Sequence, residues 1–185
     1  MSRGFSGKVN IEKFIHELPV RDCVVCPNLG EDAVVISTKN YDYLITHSDP
    51  ITEALYDPGF LSITLACNYI NMKGSHCRWV IKTILLQSLK DLDKIVAGEK
   101  EACKIINCKI VGGHTEVTPG ISSSSIVITA TFSISNNYLD IKNVKEGDYI
   151  VQVFNIGIEG TWILATEFKG LLKSKGISEN LLQKR

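Results

Sequence analysis

The sequence lacks an excess of charge of either sign, since 20 lysine and arginine residues balance 20 aspartate and glutamate residues. Nucleic acids and anionic membranes call for a basic surface on their protein partners, so this balance argues against both. No apolar run approaches the roughly 20 residues that cross a bilayer, and residues 1–8 lack the apolar core of a secretion signal. These absences predict a cytoplasmic protein with no nucleic acid and no membrane among its partners.

A second regular pair of zinc ligands is also missing, although the chain has six cysteines. Cys23 and Cys26 have the spacing of zinc and redox motifs, but a structural zinc site needs a second such pair. The other four cysteines are more widely spaced along the chain: Cys67, Cys77, Cys103 and Cys108. Free reduced thiols are the first expectation without a secretion signal. Metal binding by Cys23 and Cys26 comes second, and a redox role comes last.

The chain does have the apolar content to bury a core, 44% of 185 residues, which suits one domain or one domain and a fragment of another. Hydrophobic spacing predicts helices and strands that follow one another along the chain. The predicted helices are residues 9–18, 57–74, 89–106 and 159–172. The predicted strands are residues 33–37, 43–46, 79–86, 126–134 and 149–154, and residues 109–116 are predicted to be a strand followed by its turn. This order is typical of an α+β domain that ends near residues 143–148.

Residues 111–119, VGGHTEVTP, combine backbone freedom with reactive side chains. Gly112 and Gly113 follow an apolar run, and the pattern predicts a turn at the end of a strand whose backbone N–H groups approach an anion closely. A base, a hydroxyl and a carboxylate come directly after the glycines: His114, Thr115 and Glu116. The alternative for such a segment is a strand that ends in an ordinary turn.

Carboxylates stand at the ends of two other predicted strands. Glu31 and Asp32 precede the apolar residues 34–36, and Asp49 follows the apolar residues 44–46. Each carboxylate alone is typical of a solvated loop residue. Together they are the hard oxygen ligands that a site for Mg²⁺ and phosphate requires, so the combination predicts such a site.

Four segments in this order resemble the N-terminal domain of the aminoimidazole ribonucleotide (AIR) synthetase superfamily: GEDAVVI, SDPITEA, CNYINMKGSHCRW and GGHTEVTPG. This superfamily includes selenophosphate synthetase, thiamine-monophosphate kinase and the hydrogenase-maturation dehydratase. The hydrogenase-maturation branch is the most similar. The resemblance covers residues 29–132, and it resumes at residues 147–151 and 157–161.

The resemblance implies an α+β fold with a mixed or antiparallel sheet, helices packed on one face of the sheet, and a homodimer that completes the sheet. Residues 1–145 would form an ATP-binding N-terminal domain, and residues 146–185 would be the truncated start of a C-terminal domain. ATP with magnesium would phosphorylate a carbonyl or amide oxygen of a small-molecule or protein-borne substrate.

The resemblance also implies roles for individual residues. The magnesium ligands would be Glu31, Asp32 and Asp49. The nucleotide-binding residues would be Asn68, Gly112, Gly113 and Thr115. The residues that position or protonate the reacting group would be His114 and Glu116.

Tyr69 departs from the family pattern, because many members carry an aspartate after the residue that matches Asn68. Tyrosine stays protonated near neutral pH and is a poor magnesium ligand. An alternative function is therefore that of a degenerate, non-catalytic member that dimerises and binds a ligand or partner. A protein with a cysteine-based metal or redox centre is the third hypothesis, and it rests on Cys23 and Cys26 alone.

Overall fold

The computed structural model describes residues 23–28, 30–38, 42–52, 56–122 and 125–182, so the predicted helix at residues 9–18 lies outside the described residues. The described strands are β1 (Val34–Ser37), β2 (Tyr43–Ile51), β3 (Trp79–Leu86), β4 (Lys109–Val117) and β5 (Ser125–Ser135). The described helices are α1 (Pro58–Met72), α2 (Leu92–Ile106), α3 (Ile158–Glu167), α4 (Lys169–Ser174) and α5 (Glu179–Leu182). None of them is long and apolar enough to span a membrane.

The five strands form one mixed sheet in the order β1-β2-β5-β3-β4. β1 and β2 form an antiparallel hairpin, and β5 pairs antiparallel with both β2 and β3. β4 pairs parallel with β3. The two strands run in the same direction because α2, which lies between them in sequence, returns the chain to the edge of the sheet where β3 begins. The predicted α+β class with a mixed sheet is confirmed.

Helices α1 and α2 pack against each other and cover one face of this sheet. In β5 the residues on that face are buried, among them Val127, Thr129 and Thr131. The alternate residues Ile128 and Phe132 lie on the opposite face, which no helix covers in the described part of the chain. We call this second surface the open face of the sheet. The predicted packing of helices on one face is confirmed.

Two glycines bring α1 and α2 into close contact. A Cβ atom added at Gly59 would lie 2.0 Å from the main-chain oxygen of Ile95, and one added at Gly98 would lie 2.1 Å from Oδ1 of Asp57. The Asp57 carboxylate also caps α1 by accepting a hydrogen bond from the Phe60 N–H at 3.2 Å. The interhelical crossing therefore depends on the absence of side chains at both positions.

We expect Gly59→Ala to lower the free energy of unfolding by about 3 kcal/mol, because the new methyl group meets fixed backbone rather than a movable side chain. The matched control is Gly160→Ala in α3, where a Cβ has no neighbour within 4 Å. That control should cause no loss, since alanine is the better helix former. Urea denaturation of both variants measures the difference, and equal stabilities would contradict the close crossing.

Three predicted elements differ from the structure. The predicted strand at residues 149–154 is not formed, because it has no strand beside it among the described residues, and Tyr149 and Ile150 are 95% and 101% exposed. The predicted helix at residues 159–172 is divided at Phe168 into α3 and α4. The predicted helix at residues 89–106 begins as a short 3₁₀ turn, Leu89–Asp91, before α2.

The expectation of free thiols is wrong for four of the six cysteines. Disulfides join Cys23 to Cys26 and Cys67 to Cys77, with Cα–Cα separations of 5.1 and 5.3 Å that suit the bond. Proximity in the fold decides this pairing, and sequence spacing did not reveal it. Cys103 and Cys108 are free.

Candidate functional site

Glu31 and Asp32 precede β1 but have different surroundings. The Glu31 carboxylate forms an ion pair with Lys73 Nζ, and both side chains are almost fully buried. Lys73 thus neutralises a predicted magnesium ligand. The neighbouring Asp32 is half-buried, and its carboxylate makes no hydrogen bond or ion pair with any residue that the structure describes. Of the two, Asp32 is the carboxylate that remains available to a cation.

Asp49 lies on β2, directly opposite Thr129 of β5. Since paired residues share a face, Asp49 belongs to the face that the helices cover. It is half-buried, and within the described ranges its carboxylate has no hydrogen-bonding or ionic partner. Asp49 is therefore the second available carboxylate.

Tyr69 of α1 stacks on His47, which is two residues before Asp49 on the same face of β2. The ring centroids lie 3.9 Å apart, and the ring planes differ by 25°. The tyrosine thus packs on β2 as an aromatic ring, close in the strand to Asp49. Asn68, the predicted nucleotide-binding residue beside it, is exposed on α1.

His114 and Glu116 form a pair on β4. His114 Nε2 lies 2.9 Å from Glu116 Oε2, and the side chains are 63% and 48% exposed. The carboxylate can hold the imidazole ring in one orientation through this hydrogen bond. Thr115 between them is also exposed and points to the other face of the sheet. The predicted catalytic residues are therefore in contact with each other.

The structure does not bring this pair and Asp49 into one site. His114 is in register with Thr83, whose neighbours Lys82 and Ile84 are buried under the helices, so His114 lies on the open face. Asp49 lies on the covered face of β2, and β5 and β3 separate β2 from β4. Three strand spacings amount to about 14 Å. No group of three His, Cys, Asp or Glu residues in the described ranges could hold a metal ion.

The predicted turn at Gly112 and Gly113 is wrong, because both glycines lie inside β4. The strand is irregular here, with a register shift opposite Val80 and Ile81. A Cβ at Gly113 would lie 2.2 Å from the main-chain oxygen of Lys82, whereas a Cβ at Gly112 would have no neighbour within 4 Å. Gly113 therefore permits close pairing with β3, and only Gly112 leaves open space beside the backbone.

A buried polar cluster under the helices was not predicted from the sequence. Lys82 of β3 and Glu99 of α2 are 3% and 4% exposed, with Nζ and Oε1 3.3 Å apart. Lys82 Nζ also donates hydrogen bonds to Ser62 Oγ, at 2.7 Å, and to Thr129 Oγ1. The signal in the sequence is a lysine in a strand whose other inward residues are apolar.

Burial dominates the protonation of this pair. Desolvation lowers the pKa of Lys82 to about 8, despite the attraction of Glu99. Desolvation likewise raises the pKa of Glu99 above its ordinary value, despite the attraction of Lys82. Both shifts disfavour charge, so the low-dielectric surroundings outweigh the ionic attraction within the pair.

Curated proteins similar to this chain include members of two groups. A protein of Methanocaldococcus jannaschii named as a hydrogenase expression/formation protein is 30% identical over 138 residues, covering 70% of this chain and 41% of that protein. A phosphoribosylformylglycinamidine cyclo-ligase of Prochlorococcus marinus is 34% identical over 73 residues, covering 37% of this chain and 21% of the enzyme. The chain therefore spans less than half the length of either relative.

Solved structures share the fold. A ThiL protein complexed with AMPPCP and TMP matches 95% of this chain and 57% of its own, with a TM-score of 0.67 and 15% identity. A HypE–HypF complex matches 63% of this chain and 41% of its own, with a TM-score of 0.55 and 25% identity. The sequence profile of the family described as AIR synthase related protein, N-terminal domain, matches residues 30–133. The chain belongs to this family.

Proposed function

We propose that this chain binds ATP with magnesium and acts in the cytoplasm in a reaction similar to hydrogenase maturation, in which ATP phosphorylates and so activates a carbonyl or amide oxygen. The observation that carries the proposal is the pair Asp32 and Asp49. Both carboxylates are half-buried, and neither has a hydrogen-bonding or ionic partner among the residues that the structure describes. The chain that carries them belongs to this family. Such oxygen atoms suit a magnesium ion that neutralises phosphate charge.

Two structural relatives support a nucleotide ligand. The ThiL protein is complexed with AMPPCP, and a T. maritima PurL with a TM-score of 0.59 is complexed with ATP. The roles proposed for the other residues are that His114 and Glu116 position or protonate the reacting group and that Asn68, Gly112, Gly113 and Thr115 contact the nucleotide. Because His114 and Asp49 lie on opposite faces of the sheet, these roles are tested separately from the magnesium site. The substrate would be a small molecule or a protein-borne group. Residues 1–145 would form the nucleotide-binding domain, and residues 146–185 would begin a second domain.

Calorimetric titration of the chain with ATP, with and without Mg²⁺, tests this proposal directly. We expect binding that strengthens when Mg²⁺ is present and that weakens in both Asp32→Asn and Asp49→Asn. Release of phosphate from ATP in the presence of substrate separates catalysis from binding alone. Binding that is indifferent to Mg²⁺ and to both substitutions would contradict the assignment of the two carboxylates.

The open face supports a homodimer as the working form. Its central strand β5 presents five apolar residues there: Ile126, Ile128, Ala130, Phe132 and Ile134. A sheet with apolar residues on both faces requires cover on both, and a second copy of the same face provides it symmetrically. Such pairing would also place a second chain over His114 and Glu116, which lie on this face.

We expect Ile81→Glu to convert the dimer to a monomer, because Ile81 is a 41% exposed side chain on the open face and a buried charge opposes association. The control is Met72→Glu, at a 63% exposed position on α1, which should leave the dimer intact. Sedimentation velocity at micromolar concentration measures both. A parent protein that sediments as a monomer would contradict the proposed dimer.

The alternative is a non-catalytic family member that binds a ligand or partner as a dimer. Three features favour it: Tyr69 stacks on His47 where many members carry an acid, Lys73 neutralises Glu31, and Asp49 lies away from His114. The comparison of binding with turnover described above separates the two functions.

Tyr69→Asp should strengthen Mg²⁺-dependent nucleotide binding, because it adds a carboxylate near the part of β2 that carries Asp49. The matched control is Tyr69→Asn, which is of similar size and carries no charge. Calorimetry with and without Mg²⁺ compares the two variants. Tight Mg²⁺-dependent binding by the unaltered protein would show that the tyrosine does not impair the site.

A further inference from the structure

Cys103 and Cys108 hold two free thiols in contact. Cys103 lies in the last turn of α2, and Cys108 lies between that helix and β4. Asn107 caps the helix in the left-handed conformation, with φ of 61°, and turns the chain back on itself. The Cys108 N–H then donates to the Cys103 carbonyl at 3.2 Å, and the two Sγ atoms lie 3.4 Å apart.

We propose that Cys103 and Cys108 are an oxidation site, which a hydroperoxide converts into a disulfide between the end of α2 and the start of β4. The backbone turn already holds the sulfur atoms near bonding distance, so only a small movement of the side chains separates the dithiol from the disulfide. Cys108 directly precedes Lys109, the first residue of the strand that carries His114 and Glu116.

The two thiols differ in pKa, and this difference determines which of them is the nucleophile. The hydrogen bond with Cys103 lowers the pKa of Cys108 to about 7, with a smaller contribution from the charge of Lys109. The same hydrogen bond, together with burial and the nearby Glu99 carboxylate, raises the pKa of Cys103, which Lys82 opposes only weakly. Near neutral pH Cys108 therefore supplies the thiolate, which is the nucleophile, and Cys103 keeps its proton.

The reaction has two steps. The Cys108 thiolate attacks one oxygen of hydrogen peroxide, the O–O bond breaks, and the hydroxide that leaves takes a proton from solvent to become water. The resulting sulfenic acid is then attacked by Cys103, which loses its proton as the S–S bond forms and a second water leaves. Two electrons pass from the thiols to the peroxide. Because Cys108 is 2% exposed, a small oxidant is required at this position.

Peptide mapping after treatment with one equivalent of hydrogen peroxide tests the proposal. We expect the unaltered protein to lose two hydrogen atoms from the segment with Cys103 and Cys108, and dithiothreitol to restore them. In Cys103→Ser the sulfenic acid on Cys108 has no resolving thiol, so dimedone should label it. Dimedone should label the unaltered protein much less.

Cys108→Ser is the matched comparison, because it keeps Cys103, whose pKa stays raised by burial and by the nearby Glu99 carboxylate after the Cys108 thiol is removed. Its Cys103 should react with peroxide more slowly than Cys108 does in Cys103→Ser, where the charge of Lys109 still favours the Cys108 thiolate. Circular dichroism confirms that both variants are folded. Two results would overturn the proposal: no disulfide in the peroxide-treated parent, or dimedone labelling of the peroxide-treated parent as strong as that of Cys103→Ser.

Discussion

Replacing Lys82 by methionine should lower the free energy of unfolding by about 3–5 kcal/mol, because it leaves the Glu99 carboxylate buried without its cation. Both residues are almost fully enclosed between β3 and α2, at 3% and 4% exposure. The substitution also removes the donor that Ser62 and Thr129 share. Urea denaturation measures the loss.

The double variant Lys82→Met with Glu99→Leu separates two contributions to the free energy of unfolding: the cost of leaving one buried charge without a partner, and the net contribution of the ion pair. The cost of removing two charges from water offsets most of the attraction between them in a buried ion pair. Two apolar residues of similar volume should therefore restore the free energy of unfolding to within about 1 kcal/mol of that of the parent. The single and double variants form a thermodynamic cycle. A double variant as unstable as Lys82→Met alone would mean that the hydrogen bonds to Ser62 and Thr129, rather than the ion pair, hold this region together.

The same pair predicts a dependence on pH. Lys82 has a pKa of about 8 in the folded protein against 10.5 ordinarily, so the unfolded chain binds the additional proton between these values. Stability should therefore rise with pH across this window, by about 3 kcal/mol in total, relative to the double variant. The raised pKa of Glu99 acts in the opposite direction, because its contribution to stability is fully present below the ordinary pKa and is lost as pH rises through the raised pKa.

The sequence predicted the positions of the five strands of the sheet, because alternation and flanking turn residues are local signals, although it placed a turn inside β4 and a further strand at residues 149–154. It did not predict which face of β5 the helices cover. Thr129, Thr131 and Ser133 lie under the helices, whereas the isoleucines and Phe132 lie on the open face. The hydroxyl groups are accommodated by tertiary hydrogen bonds, such as those from Thr131 Oγ1 to the carbonyls of His47 and Ala66 at 3.3 and 3.2 Å. Such partners are distant in sequence, and alternation alone carries no information about them.

The site was less predictable for a similar reason. Residues close in sequence, such as His114 and Glu116, were expected together, and the β-strand places these two on one face at contact distance. Whether Glu31, Asp32 and Asp49 form one group depends on their positions in the folded protein, where Glu31 forms an ion pair with Lys73. The sequence of strands in the sheet separates Asp49 from β4, and strand order cannot be read from periodicity.

The glycine pair on β4 offers the sharpest distinction between a structural and a ligand-binding role. Gly113→Val should lower the free energy of unfolding by about 3 kcal/mol or more, because its Cβ would lie 2.2 Å from the main-chain oxygen of Lys82 and cannot be relieved by a side-chain rotation. A loss of nucleotide binding in this variant would therefore report on folding and would not identify a phosphate contact.

Gly112→Val is the informative variant, because the structure leaves open space around the added atoms. Its stability should stay within about 0.5 kcal/mol of the parent. If phosphate approaches this backbone, the new side chain should obstruct it and abolish nucleotide binding in a protein that is still folded. His114→Ala should keep ground-state binding and lose only turnover, since a group that acts in the transition state contributes little to the bound ground state. A folded Gly112→Val that binds nucleotide as well as the parent would show that β4 does not contact phosphate, and the nucleotide site would then depend on Asp32 and Asp49.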